Sequence, residues 1–261
     1  VYTLGLNLTN TPDGAEILKV IPSSDTAIYD AAGNAALTTQ SNNTVSLNDK
    51  TVPLAPVISA IISPTNDTTP TIIGTGVTGD TITLYRDVTS LGTVVVSENA
   101  WSFTTSVLSE GTYTITATAT DPAGNVSVAS TSQSLKIDTT SPTITGTTIH
   151  STNATIAVTF SEAVYNTSNG SGALEVSDFA LSINNGTATV DATPSSISIS
   201  GNVYTLGLSL TNTPDGNETL TVIPSGATAI YDAVGNAAST TQSNNTVILI
   251  DKAVPTITGT T

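Results

Sequence analysis

The chain has no cysteine and no methionine, one tryptophan and one histidine, and five lysines and arginines against twenty aspartates and glutamates. Each shortage excludes something. Without cysteine there is neither a disulfide framework nor a thiolate metal site, which removes the small disulfide-stapled class of secreted domain. Five scattered basic residues do not supply the clustered charge that a phosphate backbone requires. A formal charge of −15 repels nucleic acid and anionic lipid and attracts divalent cations. No apolar run approaches the ~18 residues of a membrane-spanning helix, so no membrane insertion is expected of this segment. Glu, Lys, Gln and Leu are too sparse for a helical bundle. Thr, Ser, Asn, Ala, Val and Ile dominate instead, and favour twisted antiparallel sheet.

Catalytic chemistry is equally undersupplied. His150 stands beside a strand end without a partner pattern, and reads as a solvated or turn histidine. There is no Gly-x-Ser-x-Gly, no His-Glu-x-x-His and no phosphate-cradling loop. Gly74-x-Gly76-x-x-Gly79 spells a dinucleotide fingerprint but leads into a strand, so the helix N-terminus that holds a phosphate is missing. No spacing positions a carboxylate pair for glycoside hydrolysis. No enzyme is expected.

What is present is a repeat. Residues 203–255 reproduce residues 1–53 at an offset of 202, with 42 of 53 positions identical. Pro142-Thr-Ile-Thr-Gly-Thr-Thr148 returns as Pro255 to Thr261. Self-similarity of this kind fixes what counts as a domain. It divides the chain into the C-terminal half of a type-B domain (1–52), a type-A domain (53–141), a complete type-B domain (142–254) and the first strand of a following one (255–261). A half-domain cannot cover its own apolar face, so 1–52 is expected to be poorly supported unless something completes it.

Within type A, short alternating runs recur about every ten residues, the pattern of a β-sandwich. Thr81 to Tyr85 puts Ile82 and Leu84 on one face, and Ala100 to Thr104 does the same for Trp101 and Phe103, with Trp101 read as core. Thr112 to Thr120 turns Tyr113, Ile115, Ala117 and Ala119 inward and its threonines outward. Runs at 69–74, 94–96 and 126–137 bring the total to about seven strands. Type B shows similar runs at 143–149, 154–160, 179–183, 187–190, 197–199, 204–210, 219–223 and 247–250, with one helical turn at 173–178.

Thr69-Pro-Thr-Ile-Ile-Gly-Thr-Gly, Asp80-Thr-Ile-Thr-Leu-Tyr, Trp101-Ser-Phe and Gly111-Thr-Tyr to Asp121-Pro-Ala-Gly-Asn125 resemble the bacterial immunoglobulin-like repeats of giant surface adhesins. Phe160-Ser-Glu-Ala-Val, Ser177-Asp-Phe, Gly201-Asn-Val-Tyr and Tyr231-Asp-Ala-Val-Gly-Asn236 resemble, more loosely, a second such class found in surface-layer and adhesin proteins. The resemblance implies an all-β fold: tandem Ig-like Greek-key sandwiches in a linear array on a secreted fibrous protein.

Asp-x-x-Gly-Asn occurs once per unit, at Asp30–Asn34, Asp121–Asn125 and Asp232–Asn236, each time before the last strand. One reading is an ordinary tight turn. The other follows from position. Each unit ends in an acidic linker containing Asp49, Asp138 or Asp251, and in an Ig-type sandwich the entering chain and the loop before the last strand lie at one end. Asp138 would then approach Glu162, Asp232 and Asn236, and Asp49 would approach Asp121, Asn125 and Asp80. Converging oxygens suit Ca²⁺, which takes six to eight ligands at about 2.3–2.6 Å. The resemblance also implies calcium-stiffened joints; Lys252 beside Asp251 departs from it, as a rival partner for the carboxylate.

The expected role is a structural extender of a bacterial cell-surface or secreted adhesin, whose partners are the adjacent repeats of the same protein. The alternative is a subunit of a filament or surface layer in which like chains complete one another's half-domains by strand addition. A module binding glycan or ice is a third class, which the twisted threonine strands favour least.

Overall fold

The computed structural model describes residues 1–256 and is all-β apart from a single 3-10 turn. The strand expected at 255–261 falls on 257–261, outside the described residues. Two compact units form: residues 1–63, 69–108 and 112–135, and residues 64–68, 109–111 and 136–261.

The first unit opens with two short antiparallel strands, β1 (Ile17–Lys19) and β2 (Thr44–Ser46). Seven more then build a sandwich: β3 (Val57–Ile58), β4 (Thr71–Thr75), β5 (Thr81–Arg86), β6 (Thr89–Val95), β7 (Ala100–Thr104), β8 (Gly111–Thr120) and β9 (Gln133–Ile137), the last ending in residues of the second unit. One sheet is ordered β3-β4-β7 and the other β6-β5-β8-β9. The alternation read from the sequence is what the core uses. Ile82, Leu84, Ile115, Ala117, Ala119 and Trp101 are buried, and intervening threonines face outward. Trp101 lies across Gly74, where a Cβ would stand 2.3 Å from the indole ring, and its Nε1 donates to the Thr75 carbonyl at 3.2 Å. Gly74 is therefore a seat for tryptophan, not part of a nucleotide loop.

The last strand starts later than the run from Val126 implies. Ser127 and Ser130 donate backbone N–H groups to Ala119 and Ala117, and their hydroxyls accept from those same residues at 2.9 and 3.0 Å. Two serines thus satisfy part of the edge of β8, and regular pairing begins only at Gln133.

The second unit contains β10 (Ile144–Ile149), β11 (Thr155–Phe160), β12 (Phe179–Asn184), β13 (Thr189–Val190), β14 (Ile197–Ser200), β15 (Val203–Gly207), β16 (Leu210–Thr211), β17 (Thr219–Pro224) and β18 (Thr246–Ile248). Its sheets are β10-β11-β15-β14, β12-β17-β18 and the pair β13-β16. The 3-10 turn is Val176–Asp178, at the end of the segment expected to hold one helical turn. Phe160, Phe179 and Tyr204 meet at ring-centroid distances of 5.6–6.4 Å at the centre of the core. The run from Tyr204 to Leu210, read as one strand, is two: β15 pairs with β11 and β14, and β16 leaves to pair with β13.

One buried charge holds the far end of this core. Glu218 is fully buried, and its carboxylate accepts backbone N–H groups from Thr187, Ala188, Asp215 and Gly216 at 2.9–3.1 Å. Burial by itself would raise this carboxyl. The N–H donors outweigh it and hold the pKa down to about 2, from an ordinary 4.5.

The repeat provides an internal comparison. β1 pairs with β2 in the register of β17 with β18: Leu18↔Val45 corresponds to Leu220↔Val247. Local bonds recur too, such as Lys50 N–H to Pro12 O and Lys252 N–H to Pro214 O, both 2.9 Å. The apolar face does not behave alike. Tyr2 and Leu4 are 97% and 65% exposed, whereas Tyr204 and Leu206 are 3% and 0% exposed. Residues 1–5 form no strand, although they are identical to 203–207, which form β15. Identical chain becomes strand only where β11 and β14 lie beside it.

Leu206→Ala should therefore cost roughly 2–5 kcal/mol in denaturant unfolding. The equivalent Leu4→Ala should change stability by no more than about 0.5 kcal/mol. Equal effects would contradict the comparison. For Glu218, a depressed folded pKa means stabilisation that is complete above pH 4.5 and lost as pH falls towards 2. Glu218→Gln should be less stable at neutral pH by roughly 2–4 kcal/mol and show a shallower acid slope in thermal melts.

Candidate functional site

The three Asp-x-x-Gly-Asn segments fold into one loop, repeated. Gly33, Gly124 and Gly235 hold φ of +84°, +89° and +97°, open to glycine at low cost. Each aspartate, at one end of the loop, binds the asparagine at the other through both carboxylate oxygens. Asp30, Asp121 and Asp232 accept the backbone N–H of Asn34, Asn125 and Asn236 on Oδ1 at 2.8–2.9 Å. They accept the side-chain Nδ2 of the same asparagines on Oδ2 at 2.7–2.9 Å. Asp232, fully buried, also takes the N–H groups of Val234 and Gly235. Hydrogen bonds from Asn34 hold the Asp30 carboxyl below its usual range. At Asp121, burial pushes upward and the Asn125 bonds prevail, so that carboxyl is lowered as well.

Anchored this way, the asparagine amide still has a second proton to donate. Asn236 Nδ2 gives it to the carbonyl of Asp138 at 2.9 Å, and Asn125 Nδ2 gives it to the carbonyl of Asp49 at 3.4 Å. The loop thus grips the linker through its backbone. In the first copy, the loop of Asp30 and Asn34 is exposed and its internal bonds are in place.

The linker aspartates are placed differently from the sequence-based expectation. Their carboxylates turn back on their own chain: Asp49 Oδ1 accepts from Thr51 N–H at 2.8 Å, Asp138 Oδ1 from Thr140 N–H at 3.3 Å and Asp251 Oδ1 from Ala253 N–H at 2.7 Å. This i to i+2 bond is the ordinary habit of aspartate in a turn, and it leaves the carbonyl facing the loop. Asp138 Oδ2 in addition pairs with Lys136 Nζ at 2.7 Å, which lowers the Asp138 carboxyl and raises the Lys136 amine. Around the same linker, Thr65 N–H donates to Lys136 O, Asp138 N–H donates to Thr65 O, and the hydroxyls of Thr139 and Thr140 donate to Glu110 at 3.1 and 2.6 Å. All of these residues belong to the second unit. Thr65 and Glu110 are linker-holding residues that sequence reading missed, since neither lies in a recurring motif.

Two acids stand apart. Asp80 is 3% exposed, its Oδ2 has no hydrogen-bond partner among the described residues, and burial followed by the nearby Asp121 charge raises its carboxyl. Glu162 is raised by burial first and then by Asp232 and Asp138, with Lys136 offsetting part. Both sandwiches therefore repeat one constellation: a desolvated acid, a loop aspartate beside it and a linker gripped by the loop asparagine. An orphaned buried oxygen next to a second carboxylate suits a cation in chemistry. The set falls short of a full calcium shell, because the oxygens of Asp121 and Asp232 already accept N–H groups. Among the described residues, no three or more His, Cys, Asp or Glu side chains gather as a metal-holding group.

His150 is a turn residue. Its Nδ1 lies 2.8 Å from the Thr152 hydroxyl, and its carbonyl accepts the Asn153 N–H. No described helix is long and apolar enough to cross a membrane.

Comparison with known proteins adds one assignment. Residues 62–139 match the family model described as Bacterial Ig-like domain, so this part of the chain carries such a domain. No curated protein matches the chain. Among solved structures, it is similar to chitinase ChiA74 from Bacillus thuringiensis (16% identity, 75% of this chain and 29% of that one, TM-score 0.23). It is also similar to a beta-glycosidase from Bacteroides vulgatus (12% identity, 65% and 23%, TM-score 0.23). A third is the mixed-linkage glucan utilization locus protein SGBP-B of Bacteroides ovatus, solved with a mixed-linkage heptasaccharide (16% identity, 84% and 50%, TM-score 0.22). The chain spans half or less of each of these, and TM-scores at this level support no argument about fold or activity.

The grip predicts an asymmetry between copies. Asn236→Ala removes the bonds to Asp232 and Asp138 together and should lower stability by roughly 1–2 kcal/mol, with faster amide exchange in residues 138–141. Asn34→Ala, in the exposed copy, should leave the melting temperature within a degree of the parent.

Proposed function

We propose that the chain is a load-bearing segment of the extender region of a bacterial surface or secreted adhesin, without enzymatic activity. It would hold a distal binding domain away from the cell. The observation that carries this reading is the repeated loop: in two sandwiches of different type, an asparagine fixed by its own loop aspartate holds the backbone of the entering linker. A linker tied to the sandwich it enters is what a chain under tension needs at each joint, where short linkers would otherwise hinge. The Ig-type fold of residues 62–139 supports a surface or extracellular setting.

Calcium belongs to the proposal as the stiffening ion. Asp80 and Asp121 would hold it in the first unit, and Glu162 with Asp232 in the second; bound there it would cancel repulsion between desolvated carboxylates. Millimolar Ca²⁺ should raise the melting temperature by several degrees, and EDTA should reverse this. Asp80→Asn should abolish the increment of the first unit and, by removing a desolvated charge, raise its melting temperature in EDTA. A melt indifferent to Ca²⁺ eliminates the ion from the proposal and leaves the asparagine grip as the joint.

A second reading is a filament or surface-layer subunit, in which like chains pair by strand addition. Sedimentation velocity separates the two: a filament subunit associates with rising concentration, whereas an extender segment stays monomeric.

A further inference from the structure

We propose that β10 and β18, the first and last strands of the 142–254 sandwich, form with their flanking segments a shear clamp built from side chains. It carries tension directly from where the chain enters the sandwich to where it leaves. Its purpose rests on the load-bearing reading above, whereas its geometry belongs to this sandwich alone.

Among the described residues, β10 and β18 share no backbone ladder; they lie in different sheets and pair with β11 and β17. Side chains cross between them instead. Asn236 Nδ2 donates to the Asp138 carbonyl at 2.9 Å, and the Ile144 N–H donates to Gln242 Oε1 at 2.8 Å. The Thr147 hydroxyl donates to the Thr246 carbonyl at 2.9 Å. Asn153 closes the series: its Nδ2 donates to the Ile250 carbonyl at 2.7 Å, and its Oδ1 accepts the Ile250 N–H at 3.0 Å. From entry to exit, the partners are 98, 98, 99 and 97 residues apart. An offset that stays so nearly constant means that the two segments run side by side in the same direction.

Parallel strands in a sheet are joined by evenly spaced backbone bonds. Here an amide or a hydroxyl stands in at each rung. Asn153 does so most completely. It is 2% exposed, sits at φ +61°, and offers Ile250 both a donor and an acceptor, as a neighbouring strand would. Gln242 is itself held, its Nε2 donating to the Ser239 carbonyl at 2.7 Å. Tension along the chain draws Asp138 one way and Ile250 the other, along the length of this seam. Rungs between parallel segments drawn in opposite directions share the load and give way together. Rungs opened from one end give way singly, at far lower force. The four rungs thus bridge the two loaded segments directly, without routing the load through the core.

The test pulls single molecules of the full chain by their two ends at constant force. The sandwich is identified by the length it releases, about 110 residues at ~3.3–3.6 Å each. Asn153→Gly removes the amide while keeping the positive φ, and Thr147→Val removes only the hydroxyl. Each should raise the unfolding rate at a given force by roughly five- to thirtyfold. Thr187→Val removes a comparable hydroxyl bond off the seam, to the Thr213 carbonyl at 2.8 Å, and should change that rate far less. A second arm keeps every rung and changes only the direction of load. The chain has no cysteine, so Ser151→Cys with Lys252→Cys places both handles at the exit end of the seam. Unfolding from there should be at least about tenfold faster at the same force. Equal rates in the two pulling directions would overturn the clamp, as would seam variants that unfold no faster than Thr187→Val. These rates judge the clamp alone; a chain that self-associates in sedimentation loses the extender role whichever way they fall.

Discussion

Everything here depends on backbone pairing between neighbouring strands, with side chains alternating across the sheet. Threonine and isoleucine suit a pleated surface, but a strand gains its burial from what lies on either side. The two copies of the 52-residue stretch show this without any change of sequence at the positions concerned. Between β11 and β14, Tyr204 and Leu206 are core residues; without those neighbours, Tyr2 and Leu4 face solvent and no strand forms. The local hairpin of β1 and β2 persists in both settings because its partner is carried within the same half.

Where the ladder ends, other donors and acceptors take over. Ser127 and Ser130 pair with β8 through hydroxyls as well as backbone, and Glu218 collects N–H groups that no strand satisfies. The Asp-x-x-Gly-Asn loop belongs to this group. Its glycine supplies the positive φ, its aspartate closes the loop, and the asparagine is left with one amide proton facing outward. That proton finds the carbonyl of a linker residue, so a turn that is structural within one sandwich also controls how the chain enters it.

The sandwich architecture was legible because its signal is local. Alternation names Ile82, Leu84, Ile115 and Trp101 as core, and the apolar runs at 219–223 and 247–250 mark β17 and β18. At the candidate site, spacing points to the linker carboxylates, whereas Asn125 and Asn236 reach the carbonyls of Asp49 and Asp138, because aspartate in a turn bonds to its own chain first. Glu218 was passed over entirely: two of its donors lie some thirty residues away, and nothing in a solvated-looking Asn-Glu pair marks it as buried. Lys136 and Thr65 were missed for the same reason. Contacts made across the fold between residues that recur in no motif leave no trace in spacing.

The central claim is that residues 203–207 form a strand because β11 and β14 flank them, whereas the identical residues 1–5 pair with no strand among the described residues. Amide hydrogen exchange on the dilute chain measures this directly, since peptides spanning Leu6-Asn7 and Leu208-Ser209 differ by one residue and separate by mass. Residues 203–207 should be protected by orders of magnitude over residues 1–5, while 44–46 and 246–248 both show protection. Equal protection of 1–5 and 203–207 would contradict the account.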